Sequence, residues 1–258
     1  MKRNWILMLL MLGGMLTMAQ AQTKEQQIKD LMAAGNKLRD EHKEALALTK
    51  YDKVLELSPT NYEALHNASL LYSRVGNRFG EADAAKKTTY FRKAKDLADR
   101  AIKANPTDAE GYFVMSVAMG RIALIAGSKE RVAASTDIKK NAETALRYAP
   151  QHAGAWHILG RWNTKVANLN FAEKAAANML FGGLPEGASN QNAVNCYLNA
   201  LKYKPNYILY MYDLAWAYYN MGNKTKCKET LDALLKLKPV TEDDPGLQAE
   251  ARDLLASL

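Results

Sequence analysis

Two cysteines and four histidines in 258 residues leave no material for a disulfide framework and little for a metal cluster. Only 7 prolines and 15 glycines occur, and 48% of the residues are apolar against 24% charged, which excludes a disordered chain. No glycine-rich phosphate loop, paired-histidine zinc motif or nucleophile elbow is present. His152 and His157, five residues apart, fall on different faces of a helix, whereas a ligand pair needs a spacing of three or four. Neither a catalytic activity nor a metal or cofactor is therefore expected. What the chain does have is a basic balance, 35 Lys and Arg against 27 Asp and Glu, for a net charge of +8.

The N-terminus reads as an export signal. Lys2 and Arg3 precede an apolar run from Trp5 to Met18, and Ala19-Gln20-Ala21 supplies small residues for a signal peptidase. The run is shorter than the roughly 20 apolar residues a membrane-spanning helix needs. The expectation is a signal peptide over 1–21, a mature chain over 22–258, and a periplasmic or extracellular location. The alternative is an uncleaved N-terminal anchor.

The remaining prolines fall at related places. Pro59, Pro106, Pro150, Pro205 and Pro239 each follow an apolar-periodic helix, and the step from Pro205 to Pro239 is 34 residues. The other steps are 47, 44 and 55, requiring insertions of 13, 10 and 21 residues, which are placed between the two helices of each repeat. The packing positions then agree. A small residue stands eighth in each first helix: Gly35, Ser69, Ser116, Gly160 and Ala215. Tyr51 and Tyr197 occupy equivalent positions in second helices. A 34-residue helix pair with these positions resembles the tetratricopeptide repeat. It predicts an all-α, right-handed solenoid of about five helix pairs, with repeats at 28–61, 62–108, 109–152, 153–207 and 208–241. The segment 244–258 reads as a capping helix, with Asp244 as N-cap, Pro245 as its first residue, and Leu247, Ala251, Leu254 and Leu255 as its apolar stripe.

Within the fourth repeat, Gly160-Arg161-Trp162 leads through Val166-Ala167-Asn168-Leu169 to Glu173-Lys174-Ala175-Ala176-Ala177 and Leu180-Phe181-Gly182-Gly183-Leu184-Pro185. With Val240-Thr241-Glu242-Asp243-Asp244 further on, this series resembles the regulator of microtubule dynamics protein family, most strongly from about Ala153 onward. The resemblance implies the helical-repeat fold. It also implies relatives that are microtubule-associated or mitochondrial and reticular proteins, one with a repeat domain associated with phospholipid binding at membrane contacts. The export signal departs from that pattern, so the fold is carried over and the microtubule activity is not.

Groove-facing positions of such repeats give His66 and Arg74, then Phe113, Val117 and Arg121, then His157, Arg161 and Lys165, and finally Tyr212, Trp216 and Tyr219. The wall would thus have a basic middle and an aromatic end, suited to a carboxylate or phosphate and to a peptide or acyl chain. Against this, the arginines read equally as solvated and the aromatics as packed on the cap. The carboxylate clamp known on this scaffold does not fit. Asn36 and Asn67 match its asparagines, but Met32, Glu110 and Val114 replace its cations. The insertion carries Phe171, Met179, Leu180 and Phe181, which would either close one mouth of the groove or pack outside the fourth repeat.

The function expected from these residues is a non-enzymatic scaffold or adaptor binding a protein or peptide in its groove. The alternative is a module holding a phospholipid or acyl chain there, covered by residues 168–188, with peripheral membrane contact. Lys224, Lys226, Lys228, Lys236 and Lys238 read as a solvated helix face, and nucleic acid is not an expected partner. Glu242, Asp243 and Asp244 read as a first-turn acidic cluster favoured by the helix dipole. Cys196 and Cys227 read as unpaired thiols, although an oxidising compartment invites a bridge.

Overall fold

A computed structural model describes residues 23–181 and 187–258 of the chain. The expected signal peptide and the 182–185 stretch lie outside these residues. The described residues form helices without a strand. They are α1 (23–40), α2 (Glu44–Leu57), α3 (Tyr62–Asn77), α4 (Ala84–Ala104), α5 (Ala109–Ile125), α6 (Ser128–Tyr148), α7 (Ala153–Ala167), α8 (Phe171–Phe181), α9 (Asn190–Tyr203), α10 (Ile208–Asn220), α11 (Lys224–Leu234) and α12 (Asp244–Ala256), with a 3-10 turn at Glu81–Asp83.

Local sequence sets the turns. Ser58, Asn105, Ala149 and Lys204 each precede a proline, adopt ψ between 81° and 88°, and return their N–H to the carbonyl four residues back. A proline ring excludes the helical region for the residue before it, which ends α2, α4, α6 and α9 in the same way. Two residues past Pro59, Pro106 and Pro150, the side chains of Asn61, Asp108 and His152 cap the helix that follows.

The helices pack in pairs, α3 on α4, α5 on α6, α7 on α9 and α10 on α11, and each pair leans on the next. A Cβ on Gly35 would meet the Tyr51 ring at 2.8 Å, and one on Gly160 would meet the Tyr197 ring at 2.5 Å. Both tyrosines are buried, so a glycine is what lets these helices close over a large ring. Ser69 instead donates its hydroxyl to the Ala94 carbonyl at 2.8 Å. The first helices α3, α5, α7 and α10 touch in succession and form the concave wall.

The insertions are mostly not loops. Extra residues in the second and third repeats lengthen α4 and α6 to 21 residues each, compared with 14 for α2 and α9. The added N-terminal turns of α6 supply a surface for α8, where Val132 packs with Ala176 and Ala177 and Arg131 pairs with Glu173 at 2.7 Å. The insertion thus rests on the third repeat rather than outside the fourth. Phe171 and Met179 stay 90% and 77% exposed.

At the C-terminus α12 packs on α10 and α11 with Ala251 and Leu254 buried. Asp244 is not the N-cap but the first helical residue. Its carboxylate accepts from the Val240 and Thr241 backbone N–H groups at 2.7 and 2.8 Å and from the Thr241 hydroxyl at 2.7 Å. Both cysteines are free thiols, Cys227 buried and Cys196 partly so, and burial pushes the Cys196 thiol up to about 11. Among the described residues no helix is long and apolar enough to cross a membrane.

Candidate binding cavity

The concave wall encloses a cavity of about 1680 Å³ that runs from Arg39 on α1 to Glu250 on α12. Small-molecule pockets are commonly about 300–1,000 Å³, so this space exceeds what one compact metabolite fills. Nine of the groove positions read from the sequence line it together: His66, Arg74, Phe113, Val117, Arg121, His157, Arg161, Lys165 and Tyr212. Trp216 and Tyr219 do not. Trp216 packs into the C-terminal apolar cluster, and Tyr219, 39% exposed, meets it edge-on at 5.3 Å. The aromatic end of the cavity is built instead by Tyr207, Tyr210 and Tyr212. From α8 only Glu173 and Ala177 reach the wall, so Phe171, Met179 and Leu180 do not close it, and the Phe181 side chain lies outside the described residues.

In the middle of the wall, α5 and α7 present cations that are poorly neutralised. Arg121 donates to the Asn77 side-chain oxygen at 3.0 Å and has no ion pair among the described residues. Burial and the neighbouring Arg161 push its pKa down to about 10. Arg161 lies 3.8 Å from Asp213 Oδ2, an oxygen already engaged at 2.7 Å by His157 Nε2. Burial pushes Asp213 upward, but the Arg161 charge and the His157 bond overcome it and hold the carboxyl below its usual range. His157 is itself held below its ordinary value, because burial outweighs the attraction of Asp213. Its ring stacks on Tyr210 at 4.5 Å.

At one edge the cavity is closed by residues far apart in the chain. Arg78 meets Asp243 through Nε at 2.6 Å, Glu242 through Nη1 at 2.6 Å, and Glu44 through Nη2. Arg74 meets Glu44 at 2.8 Å and Asp243 at 3.3 Å, and the Glu242 carboxylate also accepts from the Glu44 backbone N–H. The C-terminal end of the solenoid therefore touches its first two repeats. Glu242 and Asp243 act here as partners of Arg74 and Arg78 rather than as helix-dipole charges. Sequence reasoning found Arg74 but missed Glu44, Arg78 and the pairing. The run Glu242-Asp243-Asp244 was its only visible trace.

A family model described as regulator of microtubule dynamics protein 1-3 matches residues 26–258. The chain belongs to this family. Regulator of microtubule dynamics protein 3 from Bos taurus is 27% identical over 176 residues, covering 67% of this chain and 36% of its own length. Regulator of microtubule dynamics protein 1 from Bos taurus is 27% identical over 203 residues, covering 76% of this chain and 63% of its own. The chain thus spans about a third to two thirds of the length of these curated relatives. A solved structure of a thermophilic tetratricopeptide-repeat protein from Thermus thermophilus superposes with a TM-score of 0.64 at 17% identity, covering 89% of this chain and 99% of that one. That likeness shows the fold, and this family member is a tetratricopeptide-type helical-repeat scaffold. Arg161 and Trp162 of its Gly-Arg-Trp segment both line the cavity. Arg161 does so at 35% side-chain exposure, while Trp162 is buried, with the Lys139 ammonium 4.9 Å from its ring centroid.

Proposed function

We propose that the protein is a non-catalytic adaptor, exported after removal of residues 1–21, that holds an extended segment of a partner protein carrying an acidic group in its central cavity. The observation that carries the reading is Arg121, a cation on the cavity wall with no carboxylate partner among the described residues and with Arg161 as its neighbour. An arginine fork left unpaired in a concave site is suited to a carboxylate or phosphate, and the enclosed setting strengthens such a pair. The tyrosines at the C-terminal end supply rigid area for flanking side chains. Photo-crosslinking from a probe at Ile158, on the cavity wall beside Arg161, tests it in the organism's own envelope fraction. Capture of a protein segment that is lost on Arg121→Glu is the expected outcome. No captured segment in either form would end the reading.

A second reading has its own observation. Val117, Leu124, Val132, Ile138 and Ala177 line the same cavity as Arg121, an apolar wall and a cation that suit an acyl chain with an anionic headgroup. Native mass spectrometry of the protein purified from its envelope fraction separates the two. A co-purifying phospholipid that is lost on Arg121→Glu supports this second reading.

A further inference from the structure

The contact between the two ends of the solenoid differs from the apolar seams between successive repeats. Successive repeats are joined by buried apolar side chains. The apolar cluster of the first two repeats and that of the C-terminal repeat, however, share no residue. What the structure shows joining these ends is a set of ion pairs between residues 164 to 169 positions apart, with one hydrogen bond from the Glu44 backbone N–H to the Glu242 carboxylate. We propose that residues 240–244 form an ionic strap that closes the solenoid into a ring and gates the central cavity.

Three features make the strap a built device rather than a chance surface pairing. The loop is held in shape before it reaches its target, because the Asp244 carboxylate ties the Val240 and Thr241 N–H groups and so projects Glu242 and Asp243. Its receptor is planar and multidentate, with Arg78 using Nε, Nη1 and Nη2 on three different carboxylates in a rigid fork that the single ammonium of a lysine does not reproduce. Its anchor, the Glu44 side chain, is only 3% exposed and bridges Arg74 and Arg78. Arg74 and Arg78 keep 19% and 26% exposure, so dissolved ions reach the strap but not the apolar seams.

The strap is also part of the cavity wall. Thr241, Glu242 and Asp243 line it from one side, and Arg74 and Arg78 face them from the other. Releasing the strap leaves the five repeats stacked and opens the cavity along that edge. Loading and release of an occupant are then limited by strap opening, whatever the occupant is, so this inference does not depend on the ligand class proposed above.

Spin labels on Glu41→Cys and Lys238→Cys, in a Cys196→Ala background, report the gap between the ends by pulsed electron resonance. At low salt the full chain should give one narrow, short distance. In about 1 M salt, where the screening length falls to about 3 Å, the distance should lengthen and broaden. Arg78→Glu should do the same at low salt, and Arg78→Glu combined with Glu242→Arg and Asp243→Arg should restore the short distance. Helical circular dichroism read alongside separates strap opening from unfolding. For the gate, release of 8-anilinonaphthalene-1-sulfonate from the cavity should speed up about tenfold in Arg78→Glu and return in the charge-swapped variant, since such effects fall on the off-rate. An unchanged distance in a folded Arg78→Glu protein would overturn the strap, and so would a broad distribution in the parent at low salt. A changed distance with an unchanged release rate would overturn the gate.

Discussion

Two pairs of arginines stand on the same inner wall and do different work. Arg74 in the last turn of α3 and Arg78 at its C-cap are surrounded by Glu44, Glu242 and Asp243, so three carboxylates meet two guanidinium groups. Arg121 on α5 and Arg161 on α7 share at most Asp213, which His157 already occupies. The first pair is saturated and holds the protein shut. The second is left short of negative charge, which costs free energy in the unliganded protein and is recovered when an anion arrives. The number of carboxylates around an arginine, more than its presence in a groove, separates a structural cation from one available to a ligand.

That contrast can be attacked from both sides. The largest effect should come from Arg78→Ala, which leaves the nearly buried Glu44 with Arg74 alone and removes the strap's main partner. A loss of about 3 kcal/mol in unfolding free energy is expected, read by urea denaturation. Asp213→Asn should cost less, about 1–2 kcal/mol, because His157 loses its charged acceptor. It should also sharpen the anion site, so that inorganic phosphate raises the melting temperature of Asp213→Asn more than that of the parent.

Acid should erase the first effect. Burial pushes Asp243 upward, but the bond and charge of Arg78 more than reverse this, leaving its folded pKa below the ordinary 3.8. The unfolded chain therefore binds more protons over that window, and stability rises with pH. Asp243's contribution to the strap is complete above pH 3.8 and is lost as pH falls through the lowered value. The stability gap between the parent and Arg78→Ala should accordingly stay constant from neutrality to about pH 4 and narrow below it. The smallest stability change belongs to Arg121→Ala, within about 0.5 kcal/mol of zero because no ion pair is broken. The same variant should abolish the phosphate-induced rise in melting temperature. A destabilisation as large as that of Arg78→Ala would mean the two pairs are not different in kind.

How much of this was legible in the sequence depends on the range of each interaction. The helix exits before Pro59, Pro106, Pro150 and Pro205 are local, since a proline constrains the residue before it, and they could be read residue by residue. Gly35 with Tyr51 and Gly160 with Tyr197 are contacts within one repeat, and their fixed spacing made them visible. α8 was harder to assign. It follows α7 in the chain, yet the surface it needs is the extra length of α6, and nothing in its own residues names that partner. Repeat position alone places Trp216 and Tyr219 in the groove, and it does not register that α10 turns that face towards the C-terminal cluster. The meeting of Arg78 with Glu242 and Asp243 was out of reach. It depends on the rotation accumulated over five repeats, a quantity no single repeat encodes.

Closing the ring carries a consequence for how such a chain can change over time. Repeat arrays ordinarily grow and shrink by whole units, because each unit needs only its neighbours. Here Glu44 and Glu242 must arrive at the same arginine, and an added or deleted unit would carry the last loop past its target by a full step of the superhelix. The count of five is thereby fixed by geometry. Duplication, the usual source of novelty in repeat proteins, is closed to this one, and variation is confined to helix length and to the wall of the cavity.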